Sequence, residues 1–326
     1  MTDDTLPGAS EFTGPSNRHD DRMDILRTPD ERFRDLPDFP WEPGYVELPA
    51  TESGDGTLRI AYVEAGPADG PVVLCLHGEP TWSFLYRKVL RVLAAAGCRA
   101  IAVDLVGFGR SDKPAAVEDY TYARHVEWAR AAVFDRLDLR DVTLLGQDWG
   151  GLVGLRLVAE NPDRFARVVA ANTGLPDGRR EMPEVWWMFR NAVATAEHLD
   201  IGRFVAGGCK VPITDEVRAA YDAPFLDESY KAGARSFPLL IPTSPDDPGG
   251  VANQKAWDVL TGLDLPFLCA FSDGDPITGG MAPVFAKAMP GAAGREHPTI
   301  TDAGHFLQED SGDELGRVVA DFVQSS

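Results

Sequence analysis

The chain has 326 residues, 44% of them hydrophobic, and a net charge of −20 without any Lys/Arg-rich patch. Such a length suits one α/β core carrying an insertion, and the uninterrupted negative charge excludes nucleic acid or an anionic membrane as a natural partner. No apolar run approaches the roughly eighteen residues of a membrane span, and no basic, apolar leader opens the chain. A cytoplasmic location is expected.

Residues 1–22 are rich in Gly, Pro, Ser, Asp and Arg and show no period, which predicts a flexible tail. Apolar strand candidates follow at Leu58–Glu64, Val72–His77, Ala100–Leu105, Val142–Gln147, Arg167–Asn172 and Phe267–Ser272. Helical spacing separates most of them. It is visible in Leu85 to Leu93, in Ala123 to Leu139, in Leu152 to Ala159, and in Leu315, Val318, Val319 and Phe322. This alternation predicts a mainly parallel sheet covered by helices on both faces, with the ligand site outside the carboxyl ends of the strands.

Between Asn172 and about Pro242 the strand rhythm stops and helical stretches with Trp186, Trp187, Phe189, Phe204 and Tyr221 take over. The expected organisation is a core of residues 23–175 and 243–326 with a helical cap, 176–242, over the site. Pro242 to Gly250 is the one linker-like segment inside the fold. Cys75, Cys98, Cys209 and Cys269 form no C-x-x-C pair and have no His at metal-ligand spacing, so they read as thiols in a reducing compartment. Neither metal nor cofactor is expected.

Gly146-Gln147-Asp148-Trp149-Gly150 has the form of the strand-to-helix turn that lifts a nucleophile off a buried strand, with aspartate where serine is usual. A carboxylate is ionised at neutral pH and suits displacement at a saturated carbon; on an ester or amide it would form a reactive anhydride. Alkyl halides and epoxides are therefore the natural substrates of Asp148. An acid and a histidine should follow in that order. Asp275, with Asp273 as competitor, and His305 in Asp302-Ala-Gly-His305 meet the requirement.

His305 would take a proton from water, which then attacks the Asp148 ester, while Asp275 holds the imidazole. The turn His77-Gly78-Glu79-Pro80-Thr81-Trp82 follows a strand at the place where such folds supply an oxyanion-hole N–H. The Trp149 N–H would be the second. His77 reads as a structural turn residue. A departing halide needs donors in an apolar site, and an indole N–H donates without adding charge. Trp149 adjoins the nucleophile. In the cap, Met182, Trp186, Phe189 and Val193 share one helical face, which favours Trp186 over Trp187 as the second donor.

Together these residues resemble a haloalkane dehalogenase of the subfamily with His-Gly-Glu-Pro-Thr-Trp, an Asp-Trp elbow and a cap tryptophan. The likeness runs from Arg27–Phe33 through Gly107–Pro114, Gln147–Gly151 and Tyr221–Phe225 to Asp302–Glu309. It implies an α/β-hydrolase fold, Asp148 as nucleophile, His305 as base, Asp275 as supporting acid and Trp149 as a halide donor. It also implies that Glu79 marks relatives relying on the cap tryptophan, and that its side chain positions the hydrolytic water. Phe189 is a pocket residue that competes for the place where some relatives carry the tryptophan, so the second donor stays open between Trp186 and Trp187.

The expected partners are a haloalkane, water and the product halide, acting on a monomer. Epoxide hydrolases, which share the Asp elbow, are the alternative; they need paired cap tyrosines, for which Tyr221 and Tyr230 are the candidates. Fluoroacetate dehalogenase would require arginines beside the nucleophile, where Trp149 stands. A ligand-binding relative without turnover would show a broken triad, and this triad is complete.

Overall fold

Every residue of Val142–Gln147 is buried, the burial pattern of a strand covered on both faces. The computed structural model describes residues 23–50 and 56–325; the expected tail, 1–22, lies outside them. In chain order the strands are β1 (Ile25–Leu26), β2 (Pro43–Pro49), β3 (Thr57–Ala65), β4 (Val72–Leu76), β5 (Arg99–Val103), β6 (Lys113–Pro114), β7 (Val142–Gln147), β8 (Phe165–Ala171), β9 (Phe267–Cys269), β10 (Phe271–Ser272) and β11 (Thr299–Ile300). The helices are α1 (Arg87–Ala95), α2 (Tyr122–Arg130), α3 (Trp149–Glu160), α4 (Glu184–Thr195), α5 (Ile201–Gly208), α6 (Asp215–Asp222), α7 (Ala232–Leu240), α8 (Pro248–Leu260), α9 (Ala282–Ala288) and α10 (Leu307–Gln324).

The main sheet has seven strands in the order β2-β3-β5-β4-β7-β8-β9. β3 runs antiparallel to both its neighbours, and β5, β4, β7, β8 and β9 run parallel. From β4 the chain steps to one side, through α1 to β5; from β7 it steps to the other, through α3 to β8. Right-handed crossovers then place α1 and α3 on opposite faces. α1 packs on α10, and α3 packs on α2 and α8. Between β4 and β7 the direction of winding reverses, and the crevice at their carboxyl ends is where such sheets bind ligands.

Each strand expected from the apolar runs is present, Val142–Gln147 with the same bounds and the rest within two residues at either end. The last one divides into β9 and β10, and β10 pairs with β11 instead of extending the main sheet. β2 was not anticipated: it begins and ends on proline, which a sheet tolerates at its edge, and β2 is the edge strand. The expected Ala123–Leu139 helix is α2 continued by a π-helical stretch, Ala131–Arg136.

The linker-like segment also needs correction. Pro248, Gly249 and Gly250 form the first turn of α8, with proline at a position where no N–H is needed. Asp247 Oδ2 accepts from the N–H groups of Thr243 (2.8 Å) and Ser244 (2.9 Å), which orders the approach.

Helices α4 to α7 lie between β8 and α8. Bonds from several directions tie them to the rest: the indole of Trp82 donates to Ala220 O, Thr28 Oγ1 to Pro224 O, and Tyr221 to Glu309. Glu309 also takes two 2.6 Å bonds from Arg87, so α1, α6 and α10 meet at one buried carboxylate. Among the described residues no helix is long and apolar enough to cross a membrane.

Candidate active site

Asp148 stands alone between β7 and α3 with φ 49° and ψ −127°, a conformation costly for a residue with a side chain. The surroundings hold it there. Its N–H donates to Asn172 O (2.9 Å), and its carbonyl accepts from Gly151 N (2.9 Å) and Thr173 Oγ1 (2.7 Å). Two glycines permit the close approach. A Cβ on Gly150 would fall 1.9 Å from Leu76 O, and one on Gly78 would fall 2.2 Å from Asp148 Oδ1.

The two carboxylate oxygens of Asp148 differ. Oδ1 accepts the Glu79 N–H at 2.8 Å, whereas Oδ2 stands 3.6 Å from His305 Nε2. Trp149 is the first residue of α3, so its N–H lies outside the helix's own bonding.

His305 is buried, and its Nδ1 lies 3.1 Å from Asp275 Oδ2. The contact is within ion-pair range, but the N–H is not aimed straight at the oxygen, so Nδ1 counts as unpaired by hydrogen-bond geometry. Burial by itself lowers an imidazole. The charge of Asp275 and the contact with Asp148 outweigh it and push His305 up to about 10.

Asp275 is buried too, which raises an acid; the His305 charge and bonds from Thr278 and Ile277 prevail and hold it low. Asp273 is turned elsewhere: it accepts from the main chain of Asp302 and Ala303 and from Lys210, bracing the loop before the histidine. The structure therefore brings Asp275, and not Asp273, to the imidazole.

On the turn after β4, His77 Nε2 accepts from Leu105 N (2.9 Å) and Nδ1 faces Gly78 O (3.0 Å), so the ring bonds the turn together. Burial lowers its pKa and keeps it neutral. Glu79 is 5% exposed, and burial first, then the charge of Asp148, raises its carboxyl well above the usual range.

Trp149 is 3% exposed, with Phe237 of α7 stacked on it (4.4 Å, 11°) and Tyr122 against its edge (4.9 Å, 78°). On α4, Trp186 is 5% exposed and Trp187 38%. Phe189 is half-buried and packs edge-on against Phe204.

Three positioning groups were not foreseen. Asn172, at φ 38°, donates to Ser272 Oγ, Gly304 O and His305 O, and its Oδ1 accepts from Ser272 N, joining the end of β8 to the acid and histidine loops. Thr173 holds the Asp148 carbonyl, and Phe237 holds the Trp149 plane. A polar Asn at the end of an apolar strand was a signal for the first; the other two had none.

A family model described as the alpha/beta hydrolase fold matches residues 71–311, which makes the chain an α/β-hydrolase. Within that class the chain belongs to the haloalkane dehalogenases, hydrolases acting on carbon–halide bonds. It is 49% identical over 304 residues to the haloalkane dehalogenase of Psychrobacter cryohalolentis, covering 93% of this chain and 99% of that one. Identity to haloalkane dehalogenase 1 of Mycobacterium tuberculosis H37Rv is 50% over 304 residues, covering 93% and 100%. Among solved structures, the tetrameric haloalkane dehalogenase DpaA of Paraglaciecola agarilytica NO2 superposes with a TM-score of 0.83 at 35% identity, covering 91% of this chain and 97% of that one.

The epoxide hydrolase alternative is not favoured. Tyr221 is fully buried with its hydroxyl given to Glu309 (2.6 Å), which leaves it no proton for an opening epoxide.

Proposed function

We propose that Asp148 displaces halide from a haloalkane and that His305 drives hydrolysis of the resulting ester. The observation that carries this reading is the inequality of the Asp148 oxygens. Oδ1 is held by the Glu79 N–H, and Oδ2 carries no such bond. Oδ2 is the attacking atom: the C–O bond forms as the C–halogen bond breaks, and halide leaves with the bonding pair. The indole N–H groups of Trp149 and Trp186 receive it, with Trp187 the alternative to Trp186, and Phe189 lines the pocket.

Alkylation removes the charge of Asp148 and with it one of the two anions that keep His305 protonated. The imidazole then loses its proton to solvent and becomes a base. It takes a proton from water, hydroxide attacks the ester carbonyl, and the oxyanion forms on Oδ1 between the N–H groups of Glu79 and Trp149. Alcohol leaves, Asp148 is restored, and Asp275 balances the imidazolium. Glu79, its carboxyl raised well above the usual range by burial, aligns the water.

The cap is assigned to residues 176–242 on a core of 23–175 and 243–326. All of these groups come from one chain, which supports a monomer as the working unit, in contrast to the tetramer described for the Paraglaciecola enzyme. Four free cysteines fit a reducing, cytoplasmic setting.

Halide and proton release from 1-bromobutane, 1,2-dibromoethane and styrene oxide tests the reading. Bromide should appear with wild type, vanish with Asp148→Ala, and be accompanied by no diol from the epoxide. Near-wild-type bromide release by Asp148→Ala would overturn it.

A further inference from the structure

Arg110 lies in the loop between β5 and β6, apart from the groups used above. It is 6% exposed, and its main-chain N–H donates to Asp104 Oδ2 (2.8 Å). Its guanidinium carbon sits 4.9 Å from the Phe33 ring centre and 5.3 Å from those of Phe39 and Trp82. Rings satisfy the face of a guanidinium. The in-plane N–H groups still require acceptors, and Nη1 is buried without a hydrogen-bond partner among the described residues.

A cleft of about 670 Å³ opens onto this side chain, walled by Phe33, Phe39, Trp41 and Tyr45. Its size lies within the range of small-molecule sites. None of the groups around Asp148 lines it. Burial lowers the Arg110 pKa, and the acids that counter this, Asp104, Glu42 and Asp30, make no ion pair with it. The cleft thus holds a desolvated cation whose buried Nη1 has no acceptor among the described residues.

We infer that this cleft is a second small-molecule site, which takes a monocarboxylate with a flat apolar body. The carboxylate fits the in-plane N–H groups of Arg110, and the body fits the aromatic walls. Asp30, Asp35 and Glu42 outnumber Arg34 along the lining and repel multiply charged anions such as phosphate.

The test is calorimetric titration of the full chain with benzoate, benzamide and inorganic phosphate. Benzoate should bind, with benzamide at least about tenfold weaker for loss of a charge-assisted bond and phosphate weaker still for want of an apolar body and for repulsion by the acids. Arg110→Gln should weaken benzoate at least about tenfold while leaving bromide release from 1-bromobutane unchanged. Trp41→Ala, at a partly exposed wall that also packs on Phe39, should weaken benzoate with no more than a modest fall in melting temperature, and it decides the matter if Arg110→Gln does not fold. The inference falls if folded wild type ignores benzoate, if the variants bind it as wild type does, or if bromide competes for it. It falls equally if benzoate binds only after removal of residues 1–22, since the chain's own N-terminus would then be the occupant.

Discussion

His305 Nε2 stands 3.6 Å from Asp148 Oδ2, near enough to feel the carboxylate's charge and too far to tie up the oxygen in a strong hydrogen bond. In the proposed reaction Asp148 thus keeps a free oxygen for attack while His305 is held protonated until that charge disappears. The order of the two chemical steps follows from this arrangement.

Replacing His305 by Phe should separate those steps. Displacement needs only the Asp148 carboxylate, so alkylation proceeds and hydrolysis stalls. Mass spectrometry after treatment with 1-bromobutane should find a butyl adduct on Asp148. An unmodified but folded variant that still binds substrate would count against His305 as the hydrolytic base.

At the proposed halide site, Trp149→Phe and Trp186→Phe each keep most of the apolar wall and would remove one donor. The loss should be about 1.5–3 kcal/mol, roughly ten- to more than a hundredfold in the displacement step. Chloride substrates should suffer more than iodide ones, and bromide-induced changes in tryptophan fluorescence should shrink. If Trp187→Phe shows these losses and Trp186→Phe does not, the exposed tryptophan is the donor.

Because burial raises the Glu79 carboxyl well above the usual range, Glu79→Gln should retain most hydrolytic activity, whereas Glu79→Ala should slow deacylation. Single-turnover kinetics separates this from alkylation. Equal loss in both variants would show that an ionisable side chain is required.

Linkage gives a stability prediction. The folded pKa of His305, about 10, lies above the unfolded value of about 6.5, so its stabilising contribution is complete below the latter and is lost as pH rises through the former. The urea stability gap between wild type and His305→Phe should be widest near pH 6 and close toward pH 10 to 11. A gap that widens with rising pH would contradict the assigned charge state.

Much of this protein was legible in the amino-acid sequence, because much of it is local. Apolar runs specified the buried strands of the parallel sheet, and one turn motif located Asp148 at the end of β7. The 3.6-residue helical period separated Trp186 from Trp187, and the structure shows the first buried and the second exposed. Where cues are local but weak, as in β2 between its prolines or the helical start at Pro248, the amino-acid pattern alone does not identify the element.

Non-local questions were decided by tertiary structure alone. Asp273 and Asp275 are two residues apart on one loop, and nothing in their spacing says which meets the imidazole. The choice follows from bonds to Lys210, Ala303 and Thr278, whose places depend on how separate segments pack. The Asn172 clamp, the Phe237 ring lying on Trp149 and the Arg110 Nη1 left without a partner among the described residues arise in the same way. Hydrogen bonds and ring contacts depend on distances in space, and for segments tens of residues apart the assembled core sets those distances.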